Sequence, residues 1–237
     1  DDFKDNVLKD ILKDSVQNAY YDPRQGLGES QVYESEAFER ADLFKSRDFL
    51  SGAIDGVSFV SSDVSLMRLE SVSTTAGSKA THYTSYFKGR IFSFEFNKTL
   101  DGAIQVMEEG APATQRPYAQ TGIDSKPFDE VFNLYTTRKA TARNLLTSHM
   151  VKALLEIQKT HPGKLTFSFI ESKLHVSING FQETFRLRMF RPINRRYLEA
   201  FKNDLTILGD IVRTLKLNHK VFETDISNFA EYDTHDD

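Results

Sequence analysis

Phe92, Phe94 and Phe96 share one parity, and Ser93, Glu95 and Asn97 share the other. A two-residue period of this kind is that of a strand with one face turned to a core. The same period returns in Leu165, Phe167 and Phe169, and again in Leu174, Val176 and Ile178 after the turn residues Glu171-Ser172-Lys173. Asp55-Gly56 sits between Phe49–Ile54 and Val57–Val60, which predicts a hairpin with a two-residue turn. Further strands are predicted over 64–70, over His82 to Asn97 with Lys88-Gly89 as an interruption, over Ala103 to Met107, and over Phe181 to Phe190.

Helical spacing takes over elsewhere. Phe3, Val7, Leu8, Ile11, Leu12, Val16 and Ala19 predict a helix over 2–19. Ser30 is placed to cap a short helix carrying Val32, Tyr33, Ala37 and Phe38. Ser125, Thr137 and Thr147 are placed to cap three more: one through Phe128, Val131, Phe132 and Tyr135, one through Ala140, Ala142 and Leu145, and one through Val151, Leu154 and Leu155. Leu198, Phe201, Leu205, Leu208, Val212 and Leu215 form the most regular stripe in the chain, after Pro192 and a capping Asn194. Residues 20–28, 71–80 and 108–124 read as loops by their Pro, Gly and small polar content.

The connections between strands are too short for parallel crossovers. The expected fold is therefore α+β, a mostly antiparallel sheet with packed helices, including a long amphipathic C-terminal helix. Residues 1–221 are expected to form a single domain, with two similar subdomains at about 1–110 and 125–217 as the alternative. Residues 222–237 carry six acidic side chains and no Lys or Arg, and read as an acidic tail.

Composition narrows the chemistry. The chain has 237 residues, no cysteine, no tryptophan and a formal net charge of −4. Disulfides, thiolate metal sites and cysteine nucleophiles are excluded, and no global positive charge favours nucleic acid. Histidines stand at 82, 149, 161, 175, 219 and 235, no two within five positions, so no local metal motif is present. Gly163-Lys164 lacks the rest of a phosphate-binding loop, and no serine elbow occurs. No cofactor is expected. No apolar run is long enough to cross a membrane. The chain opens inside a helical pattern without an initiator Met, so it is expected to be a soluble fragment of something longer.

Two groups of residues invite a binding role. Arg186, Arg188, Arg191, Arg195 and Arg196 fall within twelve residues that hold no acidic side chain. Such a stripe suits an acidic protein or anionic lipid headgroups, and less well nucleic acid. The bland alternative is a solvated face paired with the chain's many carboxylates. Phe92, Phe94 and Phe96 suit either a sheet's core or the wall of an apolar pocket, and core packing is the commoner use of such a row.

The run Gly89-Arg90-Ile91-Phe92 leading into Phe96-Asn97-Lys98 carries a resemblance, continued by Ser125-Lys126-Pro127-Phe128 with Phe132 and Tyr135, and by Ala142-Arg143-Asn144-Leu145-Leu146-Thr147. Tyr21-Asp22-Pro23 and Arg47-Asp48 ahead of Gly52 belong to it too. Over roughly residues 3–217 the chain resembles a bacterial family known as domain of unknown function 3137. That resemblance implies a domain following a pair of membrane-spanning segments and facing the cytosol. It supplies no activity and no catalytic residues. The expected function is binding of a protein partner or the membrane surface. An apolar-ligand module is the first alternative, and a hydrolase with a dispersed active site the second.

Overall fold

The computed structural model describes residues 12, 15–73, 79–111, 118–161, 163–180 and 206–217. Among these, nine strands form one sheet: β1 (Gln17–Asp22), β2 (Leu43–Ile54), β3 (Val57–Ser73), β4 (Lys79–Glu95), β5 (Ile104–Glu108), β6 (Ala119–Thr121), β7 (Phe132–Thr136), β8 (Lys164–Ile170) and β9 (Lys173–Asn179). Every pairing is antiparallel, in the order β1-β2-β3-β4-β9-β8-β5-β7-β6. The helices are α1 (Glu29–Tyr33), α2 (Lys126–Asp129), α3 (Lys139–Leu145), α4 (Ser148–Thr160) and α5 at 206–215. Leu12 and Ser15 of the helix expected over 2–19 are helical as well, and its other residues over 2–14 lie outside the described residues.

The α+β expectation is corrected by this architecture. The sheet dominates and the helices are few and short. Of the expected long C-terminal helix, 206–215 is helical, and the predicted start lies outside the described residues. Other elements changed type. Phe132 and Tyr135 lie on β7 rather than on a helix with Phe128. Their spacing fits a helix, but the buried residues are Phe132, Leu134 and Thr136, a period of two set by pairing with β5. Residues 17–19, expected at a helix end, start β1, and Tyr20 to Asp22 complete it instead of a loop. Ala119–Thr121 forms an edge strand inside a segment expected to be wholly irregular. Gly28, not Ser30, precedes α1, and Arg138, not Thr137, precedes α3.

Other expectations hold. Thr147 Oγ1 accepts from the Met150 amide at 3.3 Å and caps α4. Asp55 and Gly56 take φ of 49° and 82°, the left-handed pair of a tight hairpin turn. The interruption expected at Lys88-Gly89 does not occur, and β4 runs through it. Gly89 serves a close approach there: a Cβ would lie 1.8 Å from the Ile178 carbonyl oxygen of β9. That contact belongs to the β4–β9 ladder, which joins the first four strands to the other five.

The register places whole rows of side chains on one face. One row runs Leu50, Ser61, Phe92, Val176, Phe167, Val106 and Leu134 across seven strands. It belongs to the larger apolar cluster, which α2, α3, α4 and α5 cover with Phe128, Leu145, Leu154 and Leu208. The adjacent row points the other way: Val60, Ser93, His175, Ser168, Gln105 and Tyr135. On that second face a smaller cluster packs Val32, Tyr33 and Phe38 of the 27–41 segment onto Val64, Leu66, Phe87 and Ile91.

Candidate functional site

Arg90 sits on β4 at the parity of Phe92 and Phe94, and it is fully buried. A guanidinium stays ionised in such a place, so its surroundings must supply charge and acceptors. They come from two neighbouring strands. Nη1 contacts Asp63 Oδ1 at 2.8 Å, Nε donates to Ser61 Oγ at 3.2 Å, and Nη2 donates to Ser61 Oγ at 2.8 Å and to the Asp48 carbonyl at 3.1 Å. The guanidinium also lies 5.8 Å from the Phe92 ring centroid.

Asp48 closes the cluster from β2. It takes a left-handed φ of 56° where the β2–β3 register slips between Arg47 and Leu50. The bulge turns its side chain inward, where Tyr21 Oη donates to Oδ1 at 3.0 Å and Arg47 Nε lies 3.4 Å from Oδ2. Burial pushes the Asp48 carboxyl up to about 6, and the Asp63 carboxylate adds to this. The Tyr21 hydrogen bond, Arg90 and Arg47 oppose the rise. Sequence reasoning did not single out this cluster. Its signal was a charge at a core parity, Arg90 in line with three phenylalanines.

The second face holds a different arrangement. Ser93, His175, Ser168 and Gln105 are all buried, side by side on β4, β9, β8 and β5. Gln105 Nε2 donates to the Ser35 carbonyl at 3.3 Å, which ties this row to the 27–41 segment. At the rim, Lys173 Nζ pairs with Glu34 at 2.8 Å. Burial lowers the His175 imidazole to about 4, against the pull of Glu34 and with Lys173 adding to the fall. His161, after α4, is also lowered by burial, and Asp210 of α5 opposes that shift. Among the described residues no group of three His, Asp or Glu side chains could hold a metal ion.

A third feature is an arm. The β2–β3 ladder ends at Leu43 and Met67, and the β4–β9 ladder ends at Gly89 and Asn179. Beyond those points β3 and β4 continue as a two-stranded ribbon, Arg68 facing Thr84 and Ser73 facing Lys79. Its base rests on the 39–42 segment, through an Arg68–Glu39 ion pair at 2.6 Å and Leu69 N donating to Asp42 Oδ2 at 2.8 Å. Farther out, Leu69, Val72 and Tyr83 are 47%, 48% and 51% exposed. Leu69 and Tyr83 stand directly opposite each other.

The residues singled out from the sequence fall as follows. Phe92 and Phe94 are fully buried and Phe96 nearly so, all three in the larger apolar cluster. An open groove of about 490 Å³ lies elsewhere, between α2 and α4, lined by Ile123, Lys126, Pro127, Leu146, Val151 and Leu155 among others. Arg186, Arg188, Arg191, Arg195 and Arg196 lie outside the described residues, as does the 222–237 tail. Arg47, Asp48, Gly89 and Arg90, which carried part of the family resemblance, meet at the charged cluster and at the β4–β9 joint.

Comparison with known proteins bears on that resemblance. The family model described as "Protein of unknown function (DUF3137)" matches residues 85–217. The chain belongs to the DUF3137 family. The matched span holds β5 to β9, Arg90 and the whole row from Ser93 to Gln105. No curated protein matches the chain. A crystal structure of the mycobacterial trehalose monomycolate transport factor A, TtfA, is similar at 9% identity with a TM-score of 0.44, covering 87% of this chain and 92% of that one. Among the described residues no helix is long and apolar enough to cross a membrane.

Proposed function

We propose that this DUF3137 domain is a binding module that takes a protein partner on the β3–β4 arm. The observation that carries this reading is where the exposed apolar side chains stand. Among the described residues four large hydrophobic side chains are exposed, and three of them, Leu69, Val72 and Tyr83, are on the arm. Beyond its base the ribbon's ladder partners among the described residues are its own two strands. Such a ribbon contributes little to the sheet, so apolar residues at its surface are better explained by contact with another molecule.

The test is site-specific photocrosslinking in bacterial cells that express the full-length protein. A crosslinker at Tyr83 should give a discrete adduct that a control position, Lys126, does not. Leu69→Asp should abolish the adduct while leaving the fold intact. Equal labelling at both positions, or none at Tyr83, would remove the arm from the account.

In the same reading the domain faces the cytosol from a bacterial membrane anchor, as the family resemblance implies. Fractionation of the full-length protein with protease protection tests that. The arginine stripe is the rival contact surface, for an acidic partner or anionic lipid. If Arg186→Ala, Arg188→Ala and Arg191→Ala together abolish the Tyr83 adduct and Leu69→Asp does not, the stripe holds the partner and the arm does not.

A further inference from the structure

Ser168 and His175 are direct cross-strand partners on the second face, and both are at least nine-tenths buried. Among the described residues, neither Ser168 Oγ nor His175 Nδ1 has a hydrogen-bond partner. Leaving a buried donor or acceptor unmade costs about 1–3 kcal/mol, and native interiors rarely tolerate two side by side. Cβ atoms of directly opposed residues stand about 4.5–5.5 Å apart. At that spacing the two side chains are neighbours on one face, yet Oγ and Nδ1 do not bond each other.

We infer that β8 and β9 enclose an internal solvent site in which one water bridges His175 Nδ1 and Ser168 Oγ. Three features fit water better than another guest. The walls are small and polar: Ser93 and Gln105 extend the row, and buried Thr166 and Ser177 form the next one. A buried water makes about three hydrogen bonds, which such a lining can supply. The nearby charges, Glu34 and Lys173, neutralise each other at the rim, so nothing in the row calls for an ionic guest. Water also serves either tautomer, since it donates to a bare Nδ1 and accepts from a protonated one.

A high-resolution crystal structure of the chain should show a density peak about 2.7–3.2 Å from both atoms. In solution, a water cross-peak should appear at the backbone amides of Ser168 and His175 in a ¹⁵N-edited rotating-frame NOE spectrum. Ser168→Ala should weaken that cross-peak, because the water keeps only His175 Nδ1 and its remaining neighbours, while its urea midpoint shows that the fold survives. A direct Ser168–His175 hydrogen bond, or a dry gap between the two atoms, would overturn the inference. So would a water signal that Ser168→Ala leaves unchanged.

Discussion

The two faces of the central strands bury polar side chains by opposite means. On the first face Arg90 brings a full charge into an apolar layer and is met by Asp63, Ser61, the Asp48 carbonyl and a nearby Phe92 ring. On the second face Ser93, His175, Ser168 and Gln105 form a neutral row, and two of their polar atoms meet no described protein group. The first arrangement tolerates no missing member, because each partner offsets a charge held away from water. The second is forgiving, because solvent can replace what a mutation removes. This contrast turns a catalogue of buried polar residues into a ranking of their substitutions.

Arg90 is where the contrast breaks most visibly. Arg90→Met keeps volume and apolar contact but takes the ion-pair partner from the Asp63 carboxylate and a nearby positive charge from Asp48. Removing one side of a buried ion pair costs about 3–5 kcal/mol, so urea denaturation should show a loss of that size. Adding Asp63→Asn to Arg90→Met should recover a large part of it, since both members of the buried pair are then neutral. A loss below about 1 kcal/mol for the single variant, well short of the usual cost, would mean that water reaches the cluster and that both faces obey the same rule.

Much of the sheet was legible in the sequence because its rows obey a strict period of two. Phe92 and Phe94, Leu165 to Phe169 and Leu174 to Ile178 all lie on strands with the facing expected of them. The elements that were misread are those whose local spacing fits two periods. Phe128, Val131, Phe132 and Tyr135 fit a helix, yet Phe132 pairs with Glu108 across a ladder that no local window contains. Residues 17–22 gave no strand signal because β1 is an edge strand, lying largely outside the apolar core and held by pairing with β2. The charged cluster joins residues from 21 to 90 in sequence, so spacing motifs could not reveal it. The arm escaped notice because 57–60 and 64–70 read as two strands and 71–80 as a loop, whereas β3 runs unbroken to Ser73 and β4 already begins at Lys79.

Acidity sharpens the comparison, since the two faces should respond to pH with opposite sign. The Asp48 carboxyl is raised from 3.8 to about 6 in the folded state. Its contribution is full below 3.8 and is lost as pH rises through 6, because the unfolded chain gives up the proton first. His175 is lowered from 6.5 to about 4. Its contribution is full above 6.5 and is lost as pH falls through 4, because the unfolded chain takes up the proton first. Between pH 4 and 6 the two slopes oppose each other. His175→Gln should therefore leave a protein whose stability falls more steeply as pH rises through that window, and Asp48→Asn one whose stability rises. Each change is on the order of 2 kcal/mol, at about 1.4 kcal/mol per pKa unit. Stability curves at several pH values check this, and parallel curves for the two variants would contradict it.

The mildest test uses one chemical change in two places. Ser61 and Ser168 are both essentially unexposed, and Ser→Ala removes a single hydroxyl from each. Ser61 Oγ accepts two hydrogen bonds from the Arg90 guanidinium, at 3.2 and 2.8 Å. Hydrogen bonds to charged groups contribute about 1.5–3 kcal/mol, and alanine here leaves buried guanidinium donors unmet. Ser61→Ala should cost about 1.5 kcal/mol or more on that scale. Ser168 Oγ bonds no described protein group, and a water beside it can turn to His175 Nδ1 and its remaining neighbours. Ser168→Ala should then cost less than about 0.5 kcal/mol, below the range of an ordinary lost hydrogen bond. The gap of about 1 kcal/mol is within reach of paired urea titrations. Equal losses at the two positions would mean that burial alone sets the cost of a lost hydroxyl here, whatever its partner.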